Sequence, residues 1–424
     1  MTRYIVLFAL LLPVFSYAEQ GEYLQNLSLD QAIRIAVEHN HDLRSSTFAV
    51  DSANAATTIA AAAPNPTLTV QSTSINPRAG IGAGGLRNKT VDNVIRVDQL
   101  IERGGKREFR KENAFSLAEA ARSDLHDARR ALRVSVAQSY YDLLAAQEKF
   151  AILQQTDGLY GSTLAAAQKR LKAGDIASAD VARLQVDALR ARNDTAQAEA
   201  DRANARQALA MVLGRIADAA QITLADSWPA LQFDVAKPVR ASVERRPDVQ
   251  AAKLRLDAAI AGRKLALASR TRDVTIGVQY EHYPSNDANP QGSGNSYGVA
   301  LQVPLFVRYQ FDGEIRAAEA AIDTARENLE KSRDLAFGDA MQSWRNAHSA
   351  FERVRRYDEG LLGAAQKSAD AAEFAFKHGA LGVMDVLDAR RTYRATQLDA
   401  LAARADFAKS LAAWQAAISE SSQQ

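Results

Sequence analysis

The 424-residue chain contains no cysteine. Disulfides, thiolate metal sites, cysteine nucleophiles and any lipid anchor attached through cysteine are thereby excluded. There are only four methionines, and the six histidines are scattered, so a soft-metal site of clustered Met or His has no support. Lys+Arg 52 against Asp+Glu 50 leaves a formal charge of +2, without the concentrated basic excess of a nucleic-acid binder. The patterns G-x-x-x-x-G-K-[ST], G-x-S-x-G and H-E-x-x-H are missing. No catalytic residue, cofactor site or metal-ligand set emerges, so the expectation is a protein that is not an enzyme.

Long apolar runs are also lacking beyond the first residues. Arg3, the apolar stretch Ile5 to Phe15 and the small-residue site Ser16-Tyr17-Ala18 read as a cleaved export signal over 1–18, with the mature chain starting at Glu19. No later stretch reaches the roughly 18 apolar residues of a membrane helix. An exported chain of this kind either stays in the periplasm or crosses a membrane as closed β-structure.

What is present is an internal duplication. Ala173-Gly174-Asp175-Ile176 with Asp180-Val181 aligns with His378-Gly379-Ala380-Leu381 and Asp385-Val386. Asn40-His41-Asp42-Leu43 aligns with Arg246-Pro247-Asp248-Val249, Gln138-Ser139-Tyr140 with Gln342-Ser343-Trp344, and Gly104-Gly105-Lys106 with Asp312-Gly313-Glu314. Each half reads as short helix, two strands, long helix, tight turn, long helix. The first repeat is 19–215, with strands at about 67–75 and 91–100 and long helices at about 106–155 and 176–214. A connector covers 216–240. The second repeat is 241–418, with strands at about 273–283 and 295–305 and helices at about 312–375 and 382–418, before a polar tail at 419–424.

The long helices carry apolar or small residues at alternating steps of three and four. One row is Val181, Leu184, Ala188, Ala191, Thr195, Ala198, Ala205, Leu209 and Val212; its counterpart runs from Val386 through Tyr393, Ala400, Phe407 and Trp414 to Ala417. Two successive steps of four, Ala128 to Leu132 to Val136, make a stutter that relaxes supercoiling. Alanine-rich seams suit helices laid side by side in a cylinder, and also suit an ordinary antiparallel bundle.

The strands alternate with period two, Val274, Ile276, Val278 and Tyr280 against Thr275, Gly277, Gln279 and Glu281. A lipid-facing strand and a soluble half-buried hairpin share that pattern. Four strands are too few to close a barrel, so in lipid their edges must pair with other copies. The run Gly80-Ile81-Gly82-Ala83-Gly84-Gly85 formally fits a dinucleotide fingerprint, but a strand follows it instead of a helix, so it reads as a surface loop.

Leu27-Ser28-Leu29-Asp30-Gln31-Ala32, Arg246-Pro247-Asp248-Val249 and the paired Gly-x-x-x-x-x-Asp-Val turns resemble the TolC family of outer-membrane efflux ducts, over nearly all of the mature chain. Gln99 to Arg107 is similar to the corresponding corner of the heavy-metal, cobalt-zinc-cadmium branch. The resemblance implies a membrane α+β fold, in which long coiled-coil helices form a periplasmic α-barrel and four strands per chain contribute to a trimeric 12-stranded β-barrel. It implies an equatorial belt, placed in the chain's start, the 216–240 connector and the C-terminal tail. It further implies a homotrimer in outer-membrane lipid, a periplasmic adaptor (membrane fusion) protein and a proton-driven inner-membrane pump. Export of metal cations or other small toxic compounds would follow. A soluble periplasmic coiled-coil scaffold is the alternative.

By the same resemblance, the hairpin tips Lys172, Gly174, Asp175 and Ile176, with Lys377, Gly379, Ala380 and Leu381, form an exposed rim that meets the adaptor. Asp385 and Asp388, three apart on one helix face, would narrow the channel mouth. Asp180 fits a gate or a simple complement to the helix dipole. Where the best-known gate of the family has a tyrosine and an arginine, this chain has Phe376 and Leu381, so closure is expected to rest on packing more than on a polar lock.

Overall fold

The computed structural model describes residues 24–75, 78, 91–233, 235–283, 294–378 and 380–418. The export signal, the glycine-rich loop, Gly379, most of the Pro284 to Asn295 loop and the polar tail lie outside them. Among the described residues, eight α-helices and four strands follow in the order α1 (Leu29–His39), α2 (His41–Ala61), β1 (Thr67–Thr73), β2 (Asp92–Ile101), α3 (Lys106–Lys172), α4 (Ser178–Val212), α5 (Pro247–Ala268), β3 (Val274–Tyr283), β4 (Gly294–Gln302), α6 (Asp312–Arg356), α7 (Leu362–Lys377) and α8 (Val383–Ile418). None of the described helices is long and apolar enough to cross a membrane.

The chain divides into two compact units. One comprises residues up to Arg44 with Ala128–Val239 and Gly338–Ser419. Every position of the α4 and α8 rows quoted above is buried or half-buried, with Leu184, Ala191, Ala198 and Leu209 almost wholly enclosed. The three-four spacing thus makes the seams it implies. The unit's larger core gathers Leu24, Leu27, Ala32, Ala36, Val136, Tyr140, Leu143, Leu209, Leu213 and Ile222. The chain start joins the connector here through a parallel bridge of Leu27 with Leu224. The Tyr140 hydroxyl donates to the Leu27 carbonyl at 2.8 Å, and burial pushes the phenol's pKa upward. At the end of α4, Gly214 adopts φ +69°, and a Cβ there would lie 2.5 Å from the His39 carbonyl oxygen. Only glycine fits that approach.

The other unit, Ser45–Asp127 with Arg240–Phe337, holds the sheet. Its four strands are antiparallel in the order β1-β2-β3-β4. Register carries the alternation across all four: Leu68, Val97, Val278 and Val299 form one row, and Val70, Ile95, Tyr280 and Tyr297 the next. The Arg246-Pro247-Asp248 motif starts α5. Proline takes the first helical turn, while the buried Arg246 donates to both Asp248 carboxylate oxygens at 3.0 and 2.6 Å and to the Ala336 carbonyl at 3.2 Å. Asn40 has the matching place in the first repeat: its Oδ1 caps Leu43 N at 3.0 Å and its Nδ2 donates to the Val212 carbonyl at 3.0 Å.

Several boundaries differ from expectation. The first long helix does not stop near 155 but continues to Lys172, because Gly158 and Gly161 sit in open space on its surface. The helix expected over 312–375 is interrupted by a π-helical turn, Tyr357–Leu361. The strand expected over 295–305 ends at Gln302, ahead of Pro304, which has no N–H to pair.

Candidate functional site

The apolar face of the sheet is bare in the isolated chain. Tyr297 is 79% exposed, Val299 81%, Leu301 69% and Val70 69%. A patch of that extent on a soluble monomer would be unusual. The opposite face carries Thr67, Thr69, Gln71, Gln279 and Gln302, together with Arg96 and Asp98, whose side chains pair at 2.7 Å over the space left by Gly277. Apolar outside and polar inside is the arrangement of a lipid-spanning strand that lines water. Tyr280 and Tyr297, with ring centroids 5.5 Å apart, lie in the row nearer the loop ends of the strands, where aromatic girdles meet a membrane interface.

In the first unit, both helix reversals use one backbone device. Gly174, at φ +82°, follows α3, and Asp175 N donates back five residues to the Arg170 carbonyl at 2.9 Å. Ala380 N makes the corresponding bond to the Ala375 carbonyl at 2.8 Å; Gly379 itself is outside the described residues. Lys172, Gly174, Asp175, Lys377, Ala380 and Leu381 are exposed. Ile176 corrects the expected rim: it is half-buried and packs against the cluster of Tyr160, Ala167, Val181, Leu184 and Leu387.

Asp385 and Asp388 are both exposed in the first turns of α8. The Asp385 carboxylate also accepts from Gly382 N at 3.2 Å, which satisfies one orphan donor of the helix start. Asp180 is half-buried, with Arg183 one turn on at 3.8 Å. Phe376 is half-buried, and the Arg170 guanidinium sits 5.3 Å from its ring centroid.

Near these turns stand polar contacts that the sequence did not single out. Arg391 of α8 donates to Asp187 of α4 at 2.5 Å, with the aspartate 7% exposed. Arg394 reaches Asp194 at 3.2 Å, and Arg390 contacts Glu373 of α7. Tyr160 of α3 joins the Asp187–Arg391 pair, and burial raises its pKa. Asp187 and Arg391 lie 204 residues apart, close to the repeat offset. Opposite charges at near-equivalent heights of the two repeats were the available signal. Among the described residues no cluster of three or more His, Cys, Asp or Glu could hold a metal ion.

The sequence profile described as outer membrane efflux protein matches residues 32–215 and 239–420. The chain belongs to that family. This efflux protein is 25% identical over 393 residues to the cobalt-zinc-cadmium resistance protein CzcC of Cupriavidus metallidurans, covering 90% of this chain and 86% of the relative. It is 25% identical to the outer membrane protein TolC of Vibrio cholerae, over 68% of this chain and 67% of that one. The crystal structure of a membrane protein from Pseudomonas aeruginosa shares the fold with a TM-score of 0.78 at 19% identity, covering 92% of both chains. The efflux protein is therefore the outer-membrane channel component of a tripartite efflux system, with a large periplasmic part, and resembles the heavy-metal branch. A soluble periplasmic scaffold is not favoured.

Proposed function

We propose that the chain works as a homotrimer, twelve strands sealing one barrel in lipid, and passes metal cations outward as a passive duct that carries out no chemistry of its own. The open sheet carries this reading: among the described residues, four strands leave β1 and β4 each with an unpaired edge beneath an apolar face, and hydrocarbon tolerates neither alone. Adaptor contact falls to the exposed tips Lys172, Gly174, Asp175, Lys377, Ala380 and Leu381, together with Gly379, which lies outside the described residues, and with Ile176 as their packed support. An inner-membrane pump, driven by protons, supplies the energy. The chain start and the 216–240 connector, joined at Leu27 and Leu224, are the belt.

Asp385 and Asp388 form the gate rings, which threefold symmetry would turn into a cation-selective mouth. Asp180 supports the helix end beside them, and Phe376 is held by packing. The Asp187–Arg391 and Arg394–Asp194 pairs add a polar tie that Phe376 and Leu381 cannot make. Metals are favoured over other small toxic compounds by the name of the cobalt-zinc-cadmium relative. The test is cellular export. Cells lacking the chain should accumulate cobalt, zinc or cadmium, and restored wild type should clear it. Asp385→Asn with Asp388→Asn should lower cation over anion selectivity in planar bilayers; unchanged metal content on deletion would refute the substrate.

A further inference from the structure

Past the last residue of β4 the apolar face does not stop. The odd-numbered series Tyr297, Val299, Leu301 and Val303 continues through Leu305, Val307 and Tyr309, all exposed, with Leu305 at 71% and Val307 at 82%. Phe306 meets Phe311 edge to face with ring centroids 5.0 Å apart, and Tyr309 lies 6.0 Å from the same ring. Tyr280 and Tyr297 stand toward the loop ends of the strands, so this aromatic group marks the opposite margin of the sheet. An aromatic girdle at each margin is the pattern of a wall that spans a bilayer. The strands join α3, α5 and α6 here, so this margin adjoins the periplasmic part and lies at the periplasmic leaflet.

The same margin is basic. Arg103 follows β2, Arg272 precedes β3 and Arg308 follows β4, and all three are exposed. Contacts hold these segments on one edge: Arg103 N donates to the Asp273 carboxylate at 2.9 Å, the Arg272 guanidinium lies 5.8 Å from the Phe306 ring centroid, and Arg270 Nε donates to the Gln310 carbonyl at 3.0 Å. Neighbouring carboxylates are already engaged, Asp273 with Lys106 at 2.8 Å, Glu102 with Arg110 at 2.7 Å and Asp312 with Arg270. Glu314 accepts from the Tyr309 hydroxyl at 2.5 Å. Among the described residues Arg103, Arg272 and Arg308 form no ion pair. Three such cations against Glu314 leave the margin net positive.

Guanidinium groups pair well with phosphate oxygens, and exposed apolar side chains beside them suit acyl chains. A zwitterionic headgroup brings its own cation, so a net positive margin prefers an anionic one. We propose that this margin docks on anionic phospholipid of the periplasmic leaflet, acyl chains against Leu305, Val307 and Tyr309 and headgroup phosphates on Arg103, Arg272 and Arg308. The inference rests on the reading of the sheet as part of a membrane wall.

The full-length protein, in detergent with equimolar phosphatidylglycerol and phosphatidylcholine of identical acyl chains, is read by native mass spectrometry, which counts chains and bound lipids together. Wild type should carry phosphatidylglycerol over phosphatidylcholine by at least about fivefold. Joint replacement Arg103→Gln, Arg272→Gln and Arg308→Gln should abolish the preference. Arg129→Gln, Arg190→Gln and Arg192→Gln, which remove the same charge from exposed positions of α3 and α4, should leave it unchanged. Should the first triple variant fail to fold, Arg308→Gln alone, outside every strand and helix, should lower the ratio. Inorganic phosphate at the lipid concentration should not displace the lipid. No preference in wild type, a preference that survives the margin variants, an equal loss in the second triple variant, or displacement by phosphate would overturn the proposal. Assemblies of three chains without the preference would sink this proposal alone, whereas single chains that keep it would sink the homotrimer alone.

Discussion

Gly174 and Gly214 hold the same left-handed backbone at φ +82° and +69°, but their surroundings differ. A Cβ on Gly174 meets nothing within 4 Å, whereas one on Gly214 would meet the His39 carbonyl oxygen at 2.5 Å. Gly174→Ala should therefore lose only the conformational cost of the left-handed region, about 1–2 kcal/mol. Gly214→Ala must also move α1 away from the end of α4, and should lower the thermal midpoint clearly more. Equal shifts for the two variants in a denaturation series would contradict this account. The sequence made Gly174 legible because glycine after a helical row marks a reversal. The role of Gly214 was hidden, since its neighbour His39 lies far away in the chain. The same holds for the Asp187–Arg391 pair: each residue reads alone as an ordinary helix charge, and only folding shows that the aspartate is buried.

At the scale of elements, the π-helical turn Tyr357–Leu361 has a sequence origin. Ser139 and Ser343 match at an offset of 204, whereas Gly174 and Gly379 match at 205. One residue has been added in the second repeat between those landmarks, and a single wide turn absorbs it while the seam stays in phase. Deleting Gly360 should convert the wide turn to regular helix and leave stability close to wild type. Deleting Gly158 from the uninterrupted α3 rotates all later seam positions by about 100°, so that variant should be strongly destabilised. Both glycines have open surroundings, so lost contacts do not confuse the comparison. Circular dichroism melts of the two deletions decide it.

The α3–α4 pairing also carries a pH signature. Lys149 donates to Asp201 at 2.9 Å and Gln197 does so at 2.9 Å, and both bonds hold the carboxyl below the ordinary aspartate value of 3.8. A depressed folded pKa gives stability that is present above about pH 4 and is lost as the pH falls through the folded value. The stability difference between wild type and Asp201→Asn should accordingly shrink on acidification below about pH 4; a difference that grows there would show the sign to be wrong. Strands and seams could be read in advance because periods of two and of three-four are local. The extension of α3 to Lys172 could not, because Gly158 and Gly161 mimic a break that the packed face overrides.

For the whole molecule, the decisive feature is a sheet that ends too soon. Among the described residues, β1 and β4 each pair on one side only, and the face they share with β2 and β3 is apolar and exposed. A closed barrel needs about eight strands at least, so on the proposed homotrimer the missing wall belongs to other copies. The absence of cysteine makes this directly measurable, since any disulfide must be an introduced one. Double variants with one cysteine on β1, at Thr69 or Gln71, and one on β4, at Gly298, Ala300 or Gln302, can be oxidised in isolated outer membranes and resolved without reductant. At the matching register, the covalent product should stop at three chains. A product that remains a single chain at every register, or a ladder that runs past three, would contradict the account.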